Sequence, residues 1–196
     1  MGVVSRFLAN PEKQHWQAVK WIFRYLKGSS HYFLCFGNND IMLEGFIDED
    51  MAGDIDTRKS TTGYLYTFAG VVVSWVSRLQ RIVALSTTES KYIAATKACK
   101  EMLWMQRFLG EIGIKQDKYV LYFDSQSAIH LAKNQAFHSK TKHIDLRYHW
   151  ILHVLEEGQL YLEKIHTDKN PADILTKILP RSKHELCRGM IGIGVT

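Results

Sequence analysis

Four acidic side chains stand where a strand should end or a helix begin, and acids in such places can do chemistry. In ALSTTESKY (residues 84–92) Ser86 precedes Glu89 by three, the spacing of a capping box. Tyr92, Ile93, Ala95, Met102, Leu103 and Phe108 then recur at helical spacing, so a helix is predicted to start there. In GFIDEDMAGD an apolar strand runs into Asp48, with Glu49, Asp50 and Asp54 behind it. YVLYFDSQS ends a strand at Asp124, and NPADILTK places Asp173 in the first turn of a helix. Each acid alone has a plain structural reading as a cap, a helix-dipole partner or a solvated turn residue. Together, drawn from four elements around one sheet, they suit magnesium, which takes a few carboxylates and keeps several waters. Two such ions about 4 Å apart can activate a water and stabilise the leaving oxygen in phosphodiester cleavage.

The elements that would position these acids follow from the periodicity. Residues 11–27, PEKQHWQAVKWIFRYLK, read as an amphipathic helix stopped by Gly28. HYFLCFG and the turn GNND lead into IMLEGFID, TGYLYTFAG and VVVSWVS, three strands spaced as an antiparallel meander. A helix over about 87–112, closed by Gly113, precedes the strand YVLYFD. A short helix SQSAIHLAKN, a longer one over 141–157, the strand QLYLEKIH and a final helix PADILTKIL complete the order. The expected fold is α/β, a five-stranded mixed sheet with helices on its faces. The boundary between the opening helix and this domain is expected near residues 37–40.

The 196 residues are 46% hydrophobic and 23% charged, an ordinary globular composition. A formal charge of +5 favours a polyanionic partner. Cys35, Cys99 and Cys187 form no C-x-x-C pair, which argues against a disulfide framework or a thiolate zinc site and for a reducing compartment. No signal-peptide core and no membrane-spanning apolar run is present, so the chain is expected inside the cell, without a membrane partner and not secreted.

GFIDEDMAGDIDTRKSTTGY, SWVSRLQRIVALSTTESKYIAA, FDSQSAIHLAKNQAFHSKTKHIDLRYHWI and ADILTK, in that order, resemble the ribonuclease H domain of copia-type long-terminal-repeat retrotransposons. The resemblance covers about residues 41–180. Residues 1–37 look like the end of the adjoining reverse transcriptase, its thumb and connection, and 181–196 read as a C-terminal tail. What the resemblance implies is a ribonuclease H fold and an endonuclease that cuts the RNA strand of RNA–DNA hybrids, leaving a 3′-hydroxyl and a 5′-phosphate. It implies two magnesium ions, with manganese able to substitute, held by Asp48, Glu89, Asp124 and Asp173. It also implies the rest of the reverse transcriptase as a partner, and a place in a cytoplasmic virus-like particle or the nucleus. Met51 stands where the family usually has Trp, Lys91 where an acid is frequent, and Ser125 where Asn is usual. Two rivals remain: a truncated or domesticated fragment that binds nucleic acid or protein without catalysis, and a DNA-cutting nuclease of the same superfamily.

Other signals are weaker. HSKTKHIDLRYH carries Lys140, Lys142, His143 and Arg147 against Asp145, which reads either as a solvated helix start or as a grip on a hybrid's phosphates. Arg58 with Lys59, or Arg78 with Arg81, could serve equally. His166 precedes Asp173 by seven residues and reads first as a surface residue at a strand end. His149 and His153 are four apart but lack the intervening Glu of a zinc-protease helix.

Overall fold

The computed structural model describes residues 2–36, 41–124 and 150–195. The chain divides into two compact units, Met1–Leu34 with Ile193–Thr196 and Cys35–Gly192. The boundary expected at 37–40 lies outside the described residues, as do the helix expected over 125–134 and most of that over 141–157.

In the first unit, α1 (Gly2–Ser5) precedes α2 (Lys13–Gly28). Glu12 caps α2 through a box with His15, whose Nδ1 accepts the Glu12 N–H at 2.9 Å. Phe7 stacks on the His15 ring at 4.1 Å. The short strand β1 (Tyr32–Leu34) pairs antiparallel with the last strand, residues 193–195, Phe33 opposite Gly194. Residues 181–196, set apart above as a tail, therefore carry regular structure: an α-helix at Arg181–Met190 and this closing strand.

The second unit is built on a mixed sheet. Its strands are β2 (Leu43–Asp50), β3 (Thr61–Phe68), β4 (Val71–Leu79), β5 (Val120–Phe123) and β6 (Tyr161–Lys164), in the spatial order β4-β3-β2-β5-β6. The closing strand of the first unit is β7 (Ile193–Val195). Strands β2, β3 and β4 form the antiparallel meander, and β5 and β6 add in parallel, as the α/β mixed-sheet expectation required. The β3–β4 turn places Ala69 and Gly70 at φ 52° and 76°, the two positive values of a hairpin turn that matches strand twist.

Helix α3 (Thr87–Glu111) packs on one face of the sheet. Its buried side includes Ala94, Ala95 and Ala98, small residues that let the helix lie close over Ile47, Tyr66, Leu121 and Phe123. The Tyr66 hydroxyl donates to the Ala98 carbonyl at 2.6 Å, so its polar tip is satisfied inside the core. Burial also pushes the Cys99 thiol up to about 12, which makes it packing rather than a nucleophile. Residues 150–156 are helical (α4), with Ile151, Leu152 and Val154 in the same core. The last helix of the unit is α5 (Arg181–Met190).

PADILTKIL differs from expectation. It forms a 3₁₀ turn at Pro171–Leu175 rather than a helix, and α5 starts only after Pro180. The cause is Asn170. Its side chain is fully buried, donates to the Ile47 carbonyl at 2.8 Å and accepts the Ala172 N–H at 3.1 Å. That anchor fixes the turn against β2, beside Asp48, before a longer helix could develop.

Candidate active site

Asp48 lies two residues before the end of β2, which runs on through Glu49 and Asp50, and strand alternation puts Leu43, Gly45 and Ile47 toward α3 and sends Phe46 and Asp48 to the other face. On that face the turn carrying Asp173 closes over it. The close approach depends on Gly63, which pairs with Asp48 across β3. A Cβ at Gly63 would sit 2.6 Å from Thr176 Cγ2 and 3.0 Å from Leu175 Cβ, so any side chain there would hold the turn away. Ser77 on β4 pins the turn's far end, its hydroxyl donating to the Leu175 carbonyl at 2.6 Å.

The result is a pair of buried carboxylates, Asp48 at 1% and Asp173 at 3% exposure, around one ammonium. Lys177 Nζ donates to Asp48 Oδ1 at 2.9 Å and to Asp173 Oδ1 at 3.2 Å. Thr176 donates its hydroxyl to the other Asp48 oxygen in a short contact, and Lys183 Nζ approaches Asp173 Oδ2 at 3.6 Å. Burial raises the Asp48 carboxyl above its usual range, against the lowering pull of Thr176 and Lys177, and the charge of Asp173 adds to the rise. Burial of Lys177 works against its charge, yet Asp48 and Asp173 together hold the ammonium above its ordinary value. Lys177 is shared between the two acids and Lys183 answers Asp173 from further off, so the pair is held by cations in a poorly solvated place.

A second ion cluster lies on the α3 side. Glu49 at 6% exposure accepts from the Ser90 hydroxyl at 2.8 Å. Lys91 Nζ stands 3.8 Å from Glu49 and 3.4 Å from Asp124, which follows the last residue of β5. Burial raises the Glu49 carboxyl, Ser90 and Lys91 pull it down, and neighbouring Asp48 raises it further. The two clusters thus feel each other's charge.

Glu89 belongs to neither. The cap expected at Ser86 is present, its hydroxyl accepting the Glu89 N–H at 3.1 Å. The reciprocal bond differs: the Glu89 carboxylate takes the N–H of Leu85 at 2.7 Å, one residue beyond the Ser86 N–H that a capping box would use. Of the four acids read from the sequence, the structure brings Asp48 and Asp173 together. Asp124 goes to Lys91, and Glu89 stays at the helix start. Among the described residues no group of three or more His, Cys, Asp or Glu side chains converges as a metal cage. Asp48 and Asp173 nevertheless fit a magnesium that keeps its waters: both are hard oxygen donors, and both already meet on one cation.

Glu49, Lys91, Thr176 and Lys177 were not singled out for this site from the sequence. The signals were there: Glu49 adjoins Asp48, Lys91 is two residues from Glu89, and Thr176 and Lys177 close the ADILTK block. Lys140, Lys142, His143, Arg147 and His149 lie outside the described residues. His153 Nε2 lies 3.1 Å from the Glu157 carboxylate. His166 is exposed and caps a short turn, its Nδ1 accepting the Asp168 N–H at 3.2 Å.

Over 193 residues, 98% of its length, the chain is 59% identical to the retrovirus-related Pol polyprotein from transposon TNT 1-94 of Nicotiana tabacum. It is 36% identical, over 97% of its length, to that from transposon RE1 of Arabidopsis thaliana. The chain belongs to the copia-type retrotransposon Pol polyproteins. It spans 14% and 13% of the length of those two relatives. No protein-family model matches the chain. Among solved structures, this Pol segment is similar to LC11-RNase H1, isolated from compost by a metagenomic approach. The TM-score is 0.53 at 17% identity, covering 70% of this chain and 94% of that one. A second structure of LC11-RNase H1, in complex with an RNA/DNA hybrid, matches with a TM-score of 0.51 at 16% identity, covering 69% and 94%. The fold of this Pol segment is that of ribonuclease H.

Proposed function

We propose that the chain is the ribonuclease H region of a retrotransposon Pol polyprotein and hydrolyses the RNA strand of RNA–DNA hybrids. The observation that carries this reading is the meeting of Asp48 and Asp173, 125 residues apart in sequence, on a single cation at the end of the sheet. A fold of this class has no need to bury two carboxylates beside each other for stability, because desolvating charge is costly. A divalent cation would recover that cost.

Asp48 and Asp173 would hold magnesium, with Asp124 and Glu89 as the further donors the family resemblance assigns. Bound there, the metal would supply an activated water and charge stabilisation for the leaving oxygen. The chain's own residues do the rest. Asn170 and Gly63 set the distance between the two aspartates, and Thr176 orients Asp48 by occupying its second oxygen. Lys177, about one-third exposed, can swing outward when a stronger cation takes its place. Ser90 and Lys91 hold Glu49 and Asp124 on the opposite side. As part of a longer polyprotein, the region would work beside its reverse transcriptase, in a virus-like particle or the nucleus.

One observation favours a second reading, a non-catalytic fragment that binds nucleic acid: Lys177 and Lys91 already neutralise much of the carboxylate charge. Cleavage of an end-labelled hybrid, beside matched RNA and DNA duplexes, decides between them. The proposal expects hybrid-specific cutting with magnesium or manganese, blocked by chelator. Undiminished cutting in excess chelator, or none with either metal, sinks it.

A further inference from the structure

Between the outer edge of the sheet and α3 runs an open groove of about 350 Å³, on the α3 face of the sheet with Glu49 and opposite the face that carries Asp48. Arg78 and Arg81 line it from the end of β4 and the residues after it, Lys97 and Lys100 from α3, and Tyr64 from β3. Val76, Ile82 and Ile93 give the groove apolar surface beside the hydroxyls of Thr62 and Thr96. Four of the lining side chains are cations and none is an acid. The acid nearest in chain, Glu101, follows Lys100 at the far end and acts on Tyr64 from there, opposed by Arg78.

The position of the groove matters as much as its charge. Thr62, also in its lining, pairs with Glu49 on one side and with Arg78 on the other. Neighbouring strands lie about 4.8 Å apart, so the Arg78 backbone is only about 10 Å from that of Glu49, which adjoins Asp48. Gln80 ties the same groove to the acid cluster. Its amide donates to the Thr62 hydroxyl at 3.1 Å and to the carbonyl of Ser90 at 2.9 Å, and Ser90 holds Glu49. Away from the site, Lys97 and Lys100 are separated by about 4.5 Å of helix rise. Lys100 also reaches the Trp150 ring, its Nζ 5.2 Å from the centroid. Arginine and lysine side chains beside apolar surface suit a phosphodiester backbone, whose charges point one way and whose sugars offer apolar edges.

We propose that this groove grips the phosphate backbone of a nucleic-acid strand running out of the candidate active site. The grip is sequence-independent, works through charge, and sets the duplex's register on the sheet edge. The proposal rests on the nucleic-acid reading of the site but does not need the strand to be a hybrid.

The test measures anisotropy of labelled hybrid, RNA duplex and DNA duplex, each about 20 base pairs, with calcium replacing magnesium and salt varied. The full chain is compared with Arg78→Gln/Arg81→Gln, with Lys97→Gln/Lys100→Gln, and with Lys164→Gln on β6 at the opposite edge of the sheet. Arg78, Arg81 and Lys100 are exposed, so the arginine pair tests the groove even if Lys97→Gln disturbs α3. Each groove pair should weaken binding at least about tenfold on all three duplexes and lower the salt slope by about 2, with Lys164→Gln close to the parent. Parental affinity and slope in the arginine pair overturn the proposal, as does a parent that binds none of the three. Displacement of duplex by poly-glutamate at equal charge overturns it in favour of an acidic protein partner. Hybrid cleavage is scored separately: if it is absent while groove-dependent binding persists, the ribonuclease reading fails and the groove stands.

Discussion

Asp48 with Asp173 and Glu49 with Asp124 are both carboxylate pairs sharing one lysine, yet they are held differently. Lys177 makes true hydrogen bonds to both of its partners, 2.9 and 3.2 Å, inside a shell closed by Thr176, Asn170 and Lys183. Lys91 reaches Asp124 through a longer hydrogen bond of 3.4 Å and Glu49 only at 3.8 Å, and Asp124 keeps 11% exposure. The first pair is assembled by tertiary anchors that leave the acids no alternative. The second is an adjustable contact between a helix residue and two strand ends. A cation entering this region therefore finds one fixed site and one that can rearrange.

The hardest way to break that contrast is Asp48→Asn. If Asp48 is a metal donor, hybrid cleavage should fall by at least about a hundredfold, since charge on the leaving oxygen is no longer balanced. Stability in chelator should move the other way. Burial raises the Asp48 carboxyl, so the folded state holds that proton more tightly than the unfolded chain. Such a group stabilises the fold most below its unfolded value, about 3.9, and loses that contribution as pH rises through the raised folded value. At neutral pH the charged Asp48 is a burden that Asn removes. Thermal unfolding in chelator should then show the variant equal to or above the parent at pH 7, the gap closing toward pH 4. A variant clearly less stable at pH 7 would mean that Lys177 outweighs burial.

Glu89 stands outside both pairs, and Glu89→Gln asks whether it joins them during catalysis. Gln can still accept the Leu85 N–H, so stability should stay within about 1 kcal/mol of the parent. Cleavage should drop by orders of magnitude if metal draws the carboxylate in. Ser86→Ala makes the converse test, costing about 1 kcal/mol as a lost cap while most activity survives at saturating metal. Near-parental cleavage by Glu89→Gln would leave it as a cap.

Gly63→Ala attacks the fixed pair through its spacing alone. The added methyl meets Thr176 and Leu175 and should cost about 1–3 kcal/mol as overpacking. Moving the turn separates Asp173 from Asp48, so cleavage should fall by about tenfold or more, judged from the sensitivity of reacting geometry. Gly110→Ala, in open space on α3, should instead stabilise by up to about 1 kcal/mol. Equal activity in both variants would separate the turn from the chemistry.

These contrasts show which parts of the site a sequence can carry. Asp48 was legible because the apolar run GFI leads into it, although β2 continues to Asp50, and Asp124 because YVLYF runs into it. Glu89 was legible through the box spacing to Ser86. The partners were not. Lys177 meets Asp48 only because Asn170 bonds Ile47, a contact across 123 positions that turns the expected helix into a 3₁₀ turn. Glu49 follows Asp48 in the chain, yet alternation sends it to the opposite face, where only the placement of Ser90 on α3 reveals its role. The antiparallel meander followed from the strand spacing, whereas the extra β1–β7 pairing joins two short runs far apart in the chain. Local pattern carries elements and their ends; contacts across a hundred residues require the fold.

The smallest expected effect sharpens the comparison most. Lys91→Met removes the standing cation from the adjustable pair while keeping the side chain's length and apolar stem. Its side chain is 21% exposed and its ammonium sits at 3.4 and 3.8 Å, so its net attraction for Glu49 and Asp124 should be about 1 kcal/mol or less. A metal that must displace Lys91 would then bind up to about fivefold more tightly in the variant. Calorimetric titration with manganese reads this without any substrate. Lys177→Met is the matched control. There the metal inherits two buried acids with only Lys183, 3.6 Å from Asp173, as a competing ammonium, so affinity should rise by more than in Lys91→Met, and the unliganded fold should lose stability as Asp48 and Asp173 repel. If the two variants bind manganese alike, the fixed and adjustable pairs present the same barrier to a cation. If Lys91→Met shows the larger gain, metal enters on the Asp124 side first.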